Sequence, residues 1–484
     1  MGEIATYLGP KGYSIKKEYL SIEEQELIRR ELMLKPFVPK SSMAKPTPFP
    51  VYRESKKKFY VPRFYGINTY GKPDATTITD GETIDLSFCG DLRPFQKPIV
   101  AKFVNCAKSS GAGLLEIHCG GGKTVMALNI ISILGKKTLI IVHKEFLLRQ
   151  WEERIAQFLP GARVGRIQGE IICMDDKDIV IGMLQSLSMK EYPASIFESF
   201  GLTIIDECHH LGAEVFSRAL FKIVTPYMLG LSATMKRKDG LTKLFKMFIG
   251  DVVYRKQREM KDVVLVKGIK YQTNDAEFSE VVYNYRGQTH YAVMIKKLCE
   301  FNRRSEFILK VLADLLVKDP EQQVIILAHN KSLLKYLHDA VQHRQFASVG
   351  YYVGGMKEKD LKISEGKKVI IATYAMASEG LDIKTLTTLI MATPKSDVEQ
   401  SVGRILRKKN ANALVVDIID QHAIFQRQWI KRRRWYSKQK FKIIMTDNRN
   451  YDEDKWEIVS KKHYAPPPDA TSEILQGVCL IDIT

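Results

Sequence analysis

The sequence predicts an α/β fold: two tandem lobes, each a parallel sheet covered by helices on both faces, preceded by a small N-terminal α+β region. Three observations carry this. A chain of 484 residues is too long for a single hydrophobic core. From Asp91 onward short apolar runs alternate with helix-length segments, as in sheets buried on both faces. The alternation breaks once, over about residues 253–305, and then resumes.

First-lobe strands are expected at Leu114–Ile117, Thr138–Val142, Ile179–Gly182, Leu202–Ile205 and Met228–Ser232. Second-lobe strands are expected at Gln323–Ala328, Ser348–Val353, Lys368–Thr373, Leu386–Ala392 and Ala413–Ile418. The organisation is then an accessory region at 1–90, a first lobe at 91–252, a connector at 253–305, a second lobe at 306–445 and a tail at 446–484. The connector mixes β-like Val263–Ile269 with a helical, polar His290–Arg304. In the accessory region Ser21-Ile-Glu-Glu is a capping box opening a helix that runs to Met33, followed by a Pro-rich stretch. Lys56–Lys58 beside Phe59, Tyr60, Phe64 and Tyr65 reads as a small sheet with a solvated basic face, ahead of a stacking track for a nucleic-acid strand.

Charge narrows the partner. Lys and Arg number 74 against 55 Asp and Glu, a formal +19 with a pI of about 9.4, which favours a polyanion. No apolar run reaches the roughly 20 residues of a membrane span, and Met1–Pro10 lacks the order of a signal peptide, so a membrane partner is not expected. The 7 cysteines form no C-x-x-C pair, so neither a disulfide framework nor a zinc site is indicated and a reducing intracellular compartment is the simpler reading.

Chemistry is concentrated in Glu116-Ile-His-Cys-Gly-Gly-Gly-Lys-Thr124. Three glycines followed by Lys and a hydroxyl are what a phosphate-cradling loop between a strand and a helix requires. Gly120, Gly121 and Gly122 let backbone N–H groups approach phosphate oxygens, Lys123 reaches the β- and γ-phosphates, and Thr124 ligates Mg²⁺. Ile117 stands where the first Gly of G-x-x-x-x-G-K-[ST] would fall, so the match is to the second half of that pattern. The apolar strand Leu202-Thr-Ile-Ile205 runs into Asp206-Glu-Cys-His-His210, which places two carboxylates at the C-terminal edge of a parallel sheet, where such folds bind ligands. Asp206 is suited to holding Mg²⁺, and Glu207 to deprotonating an attacking water. Alone, an acidic pair capping a helix is the better reading; with a phosphate loop upstream in the same sheet pattern, the catalytic reading prevails.

Asp206-Glu-Cys-His resembles the DEAD/DEAH-like motif of superfamily two helicases, and the remaining motifs of that family stand in order. Leu92-Arg-Pro-Phe-Gln96 resembles the upstream adenine-reading element, which implies nucleotide contacts by Gln96 and Arg93 and, within the loop, by His118 and Cys119. Leu139-Ile-Ile-Val-His-Lys-Glu-Phe146, ending in Gln150-Trp151, and Gly182-Met-Leu-Gln-Ser186 resemble strand-contacting motifs, implying nucleic-acid contacts at His143, Lys144, Gln185 and Ser186. Gly230-Leu-Ser-Ala-Thr234 resembles the linker motif, in which Ser232 and Thr234, with His209, couple nucleotide state to strand grip. Ala372-Thr-Tyr-Ala-Met-Ala-Ser-Glu-Gly-Leu-Asp-Ile383 resembles motif V, implying a strand contact at Thr373 and nucleotide contacts at Gly380 and Asp382. Gln400-Ser-Val-Gly-Arg-Ile-Leu-Arg407 resembles motif VI. Its Gln400, Arg404 and Arg407 lie along one helical stripe and can face a γ-phosphate.

Within the family, Leu92-Arg-Pro-Phe-Gln96, Thr234-Met-Lys-Arg-Lys-Asp-Gly240 and Arg434-Trp-Tyr-Ser-Lys-Gln-Lys-Phe441 look most like the XPB-type group, compact members of which occur in large cytoplasmic DNA viruses. The resemblance implies RecA-like lobes and ATP hydrolysis with Mg²⁺ in the cleft between them. It also implies 3′ to 5′ movement along nucleic acid, DNA ahead of RNA, by a monomer serving viral transcription or repair in host cytoplasm or virion. An RNA helicase and a non-hydrolysing nucleic-acid clamp are the alternatives. Finally, Arg427–Lys442 carries eight basic residues and no acidic one. It either completes the second lobe or, with Arg432 and Arg433 on phosphates, extends the nucleic-acid track.

Overall fold

The computed structural model describes residues 5–36, 47–118, 120–208, 213–234, 241–256, 264–379, 383, 385–405 and 413–459. The chain divides into two compact units, residues 1–259 and 260–484.

The first unit is built on β1 (Ala112–Ile117), β2 (Thr138–Val142), β3 (Val164–Gln168), β4 (Ile171–Cys173), β5 (Ile179–Met183), β6 (Leu202–Ile205), β7 (Tyr227–Ser232) and β8 (Val252–Lys256). Their order across the sheet is β4-β3-β5-β2-β6-β7-β1-β8, parallel except for the hairpin strand β4. β6 and β7 therefore lie between β2 and β1, so four consecutive strands deliver their C-terminal ends to one stretch of edge. Apolar side chains alternate between two cores. Leu139 and Ile141 face one and Ile140 and Val142 the other, as a strand covered on both sides requires. Helices α1 (Gln96–Ser110), α2 (Lys123–Leu134) and α3 (Glu145–Phe158) supply much of the cover.

The N-terminal region forms a five-stranded sheet, Arg53–Glu54, Lys58–Val61, Gly12–Lys16, Thr6–Gly9 and Ala75–Thr76 in spatial order, packed on the helix Ile22–Glu31. The capping box is present: Glu24 N–H donates to Ser21 Oγ at 3.2 Å and Ser21 N–H to the Glu24 carboxylate at 2.7 Å. Lys58–Val61 is a strand, as the sheet reading expects, whereas Phe64 and Tyr65 lie on the helix Arg63–Tyr70; Phe59, Phe64 and Tyr65 are buried and belong to the core. Val51 and Phe64 join a core of the first sheet, and the Arg63 guanidinium donates to the carbonyls of Ser110, Thr225 and Pro226 at 3.1–3.2 Å. The region is thereby stapled to the catalytic sheet.

The second unit contains β9 (Val264–Tyr271), β10 (Gln323–Ala328), β11 (Val349–Tyr352), β12 (Val369–Thr373), β13 (Leu386–Met391), β14 (Ala413–Asp420), β15 (Lys442–Asp447) and β16 (Glu457–Ile458), in the order β11-β12-β10-β13-β14-β9-β15-β16. All neighbours are parallel but the last pair. Two expected boundaries are corrected here. No connector spans 253–305: β8 lies at the edge of the first sheet, and Val264–Tyr271 is an interior strand of the second, between β14 and β15. The tail expected from residue 446 is also part of this unit, because β15 continues to Asp447, β16 pairs with it, and Tyr451 and Trp456 pack on the core. Lys267, Gly268 and Lys270 interrupt the apolar run of β9, and its partner strand lies some 150 residues away, so no local pattern displays the pairing.

Two buried ion pairs fasten helices to opposite faces of β14. Asp417 and Asp420 are three apart and so point to opposite sides of the sheet. Arg304 on α4 (Asn302–Lys318) makes a bidentate pair with Asp420 at 2.5 and 2.8 Å, and donates to the Ala392 carbonyl. With α5 (Glu399–Ile405) preceding it in the chain, α6 (Ala423–Lys438) brings Arg432 into a bidentate pair with Asp417 at 2.7 and 2.8 Å, joined by the Tyr436 hydroxyl. All four charged side chains are 0% exposed. The phosphate-binding role expected of Arg432 is therefore overturned, because its guanidinium is fully used inside the core. Removing one member of such a pair strands a buried charge, so Arg432→Ala should lower the unfolding free energy of this unit by about 3–5 kcal/mol. Replacing both partners together, Arg432→Met with Asp417→Leu, should cost less than Arg432→Ala; urea denaturation of the three proteins checks the order.

Candidate active site

The edge formed by β1, β7, β6 and β2 gathers the phosphate loop, the acidic motif, the linker motif and His143–Lys144, because each lies immediately after a strand. Between β1 and α2 the chain turns through Gly120 (φ +76°) and Gly122 (φ +77°). A Cβ on Gly122 would stand 2.3 Å from the Gln96 amide nitrogen, and one on Gly121 2.5 Å from the Ile117 side chain. Glycine is thus required by both conformation and close approach. Gln96 is 2% exposed; its amide donates to the Gly121 carbonyl at 3.0 Å and accepts from Arg93 N–H at 2.8 Å. Its observed role is to brace the loop, and Arg93 stands beside it through that bond. His118 closes the turn, its carbonyl accepting from Gly121 N–H at 3.1 Å. Lys123 and Thr124 open the first turn of α2. Cys119 lies outside the described residues.

Asp206 and Glu207 follow β6. Lys123 Nζ donates to a Glu207 carboxylate oxygen at 2.7 Å, with the two side chains 11% and 22% exposed. Phosphate loop and acidic motif, 84 residues apart, are therefore joined directly. Glu207 adopts φ +46°, a left-handed conformation disfavoured for a side chain of this size. Asp206 is buried, and each of its oxygens accepts one hydrogen bond at 2.9 Å, from Glu207 N–H and from the Trp151 indole N–H. Burial, then the Glu207 carboxylate, pushes the Asp206 carboxyl above its usual range, while Lys123 and the indole pull it back. The Cys208 thiol is pushed up to about 12 by burial, which fits an inert filler. Ser232, buried at the end of β7, donates to the Thr234 carbonyl at 2.5 Å and accepts from Thr234 N–H at 3.2 Å, closing the linker turn.

Trp151 is the residue that motif reading left without a role. It ends the Gln150-Trp151 element, sits on α3 with 1% exposure, and reaches the carboxylate across 55 residues of sequence. Indole is the only side chain on α3 that bonds Asp206 among the described contacts, and a Trp beside a polar motif was the one available signal.

The strand-contact candidates also fall on C-terminal edges. His143 and Lys144 follow β2, and Gln185 and Ser186 lie in the short helix after β5. Gln185 donates to the His143 carbonyl at 3.2 Å, and the Ser186 hydroxyl accepts from Gly169 N–H at 2.8 Å, so both help to shape these loops. In the second unit Thr373 ends β12 and accepts from Met376 N–H at 3.4 Å. Gln400 and Arg404 fall on α5. His209, Gly380, Asp382 and Arg407 lie outside the described residues.

The donor set suits a nucleotide triphosphate with Mg²⁺: positive-φ glycines at a helix start, an ammonium, a hydroxyl, and a carboxylate with a second one beside it. Magnesium takes few protein ligands and completes its shell with phosphates and water, and Thr124 and Asp206 are the residues that would hold it.

Comparison with known proteins agrees with this assembly. Residues 90–237 match the family described as type III restriction enzyme, res subunit, and residues 308–409 match the helicase conserved C-terminal domain. A protein of Acanthamoeba polyphaga mimivirus, provisionally named an ATP-dependent RNA helicase, is 34% identical over 95% of this chain and 91% of its own length. A provisionally named helicase of Invertebrate iridescent virus 6 is 26% identical over 73% of this chain and 83% of its own. A protein of Sulfurisphaera tokodaii named a DNA 3′-5′ translocase is 28% identical over 71% of this chain and 84% of its own.

Trp151→Phe removes the N–H together with one ring of the buried indole. It should leave the protein folded, at a cost of about 2–4 kcal/mol, and weaken Mg²⁺-dependent nucleotide binding by about 10-fold. Titration of nucleotide at several Mg²⁺ concentrations measures this; an unchanged Mg²⁺ requirement would show that the indole serves packing alone.

Proposed function

From the premise that this chain belongs to the DEAD/DEAH-like superfamily two helicases and is an ATP-dependent enzyme, we propose that it is a DNA translocase that moves 3′ to 5′ and unwinds or remodels duplexes in viral transcription or repair. The observation carrying the catalytic part is the Lys123–Glu207 contact beside Asp206, since it brings the phosphate-binding cation and the general base to one point. In the proposed cycle Lys123 exchanges Glu207 for β- and γ-phosphate oxygens, and Glu207, released, accepts the proton of the attacking water. Mg²⁺, held by Thr124 and Asp206, would neutralise charge on the phosphates. Asp206 keeps its orientation through the Trp151 indole.

DNA is favoured by the XPB-like motif spelling and by likeness to the archaeal translocase. The rival reading, RNA, has the name of the mimivirus relative in its favour. The place of action proposed is the host cytoplasm or virion, in keeping with the viral relatives; no described helix is long and apolar enough to cross a membrane.

Two measurements test the reading. Glu207→Gln should bind ATP as the parent does and retain at most a few per cent of its turnover, roughly the 10²-fold or greater loss expected for a missing general base. ATPase rates on matched DNA and RNA strands, duplexes and forks should show stimulation by DNA. Stimulation by RNA alone would transfer the assignment to an RNA helicase.

A further inference from the structure

Among the most exposed aromatic side chains of the described residues are two that stand on one short hairpin, Val282–His290, in the second unit. Tyr283 is 61% and Tyr285 70% exposed. Leaving such rings in water gains nothing for the fold, yet the hairpin that carries them is closely built. Tyr283 and Thr289 form an antiparallel bridge, and His290 N–H donates to the Val282 carbonyl at 2.8 Å. At the tip, Asn284 N–H donates to the Gln288 carbonyl at 2.7 Å and Gly287 N–H to the Asn284 carbonyl at 2.9 Å. The Asn284 side-chain oxygen accepts from the N–H groups of Arg286 and Gln288 at 2.9 and 3.1 Å. The Arg286 guanidinium lies 5.1 Å from the centroid of the Tyr285 ring. The tip therefore presents an aromatic plane and a cation from a backbone whose polar groups are largely paired, so little ordering entropy is lost on binding.

Position and charge name the occupant. The hairpin's foot, Tyr291, has its hydroxyl 3.4 Å from the Pro394 carbonyl, in the loop that follows the C-terminal end of β13, and its ring packs edge-on against Phe425. That is the edge of the second sheet on which Thr373 lies. No acidic residue occurs from Val281 to Cys299, and Glu280, next before them, is paired with Lys297 at 3.5 Å.

We propose that the hairpin Val282–His290 is a nucleobase-stacking element, in which Tyr285 stacks on an unpaired base of the bound strand and Arg286 meets the adjoining backbone phosphate. This rests on the nucleic-acid-binding part of the proposed function. Stacking on an aromatic plane is tolerant of base identity, and one phosphate contact adds salt dependence.

The test uses the full chain and a single strand carrying 2-aminopurine, whose fluorescence is quenched when it stacks. Tyr285→Ala should weaken strand binding about 5- to 100-fold and reduce the quenching, with an unchanged salt slope; Tyr285→Phe should restore both. Arg286→Gln should flatten the log–log salt slope by about 0.7, the value for one single-strand phosphate. ATPase without nucleic acid and the melting temperature should stay at parental values in all three, because these side chains lie outside the core and the nucleotide site. If the parent binds strands and Tyr285→Ala binds them equally well with equal quenching, the stacking role is overturned. Failure of the parent itself to bind any strand would instead overturn the function on which it rests.

Discussion

The contact between Lys123 and Glu207 constrains the whole nucleotide site. An ammonium and a carboxylate paired at 2.7 Å occupy each other, so either side chain can meet a ligand only when the pair opens. Its geometry is imposed by a chain of bonds. The Trp151 indole fixes one Asp206 oxygen, the other oxygen takes Glu207's own N–H, and the Glu207 backbone is thereby held at a positive φ that aims its side chain at the phosphate loop. A strained backbone of this kind persists only where its surroundings over-determine it. Here those surroundings are a nearly dry carboxylate with a donor on each oxygen, a network in which each bond strengthens the next.

Parallel strand order makes that chain possible. With β6 between β2 and β7, and β7 beside β1, the loops bearing the lysine, the two carboxylates and the linker serine leave the sheet side by side. The same rule places Thr373 and the loop Ala392–Lys395 on one edge of the second sheet. Secondary structure alone would leave these loops adjustable. Gln96 removes that freedom at the phosphate loop by bonding its backbone, and Gln185 does so at the loop after β2.

The second unit is held differently. Its sheet is fastened by two dry bidentate ion pairs on opposite faces of β14. A basic cluster in sequence, Lys431-Arg-Arg-Arg434, therefore has two destinations: Arg432 turns into the core, while its neighbours on α6 do not share that burial. Helical periodicity permits this, since adjacent residues face directions about 100° apart.

Sequence by itself determined the fold class, five contiguous strands of each sheet, and the phosphate-loop and acidic residues that the first sheet brings together. Those features are local: a strand buried on both faces must be apolar throughout, and a phosphate loop must have glycines followed by Lys and Thr. Tertiary structure decided what depends on distant partners. Val264–Tyr271 became an interior strand because β14 and β15 flank it, Arg432 became a core residue because Asp417 awaits it, and Trp151 became a hydrogen-bond partner of Asp206 because α3, packed along β2 and β5, carries it to the end of β6. Each of these pairings unites segments whose own patterns are compatible with other fates, and only the folded chain brings the deciding partner within hydrogen-bonding reach.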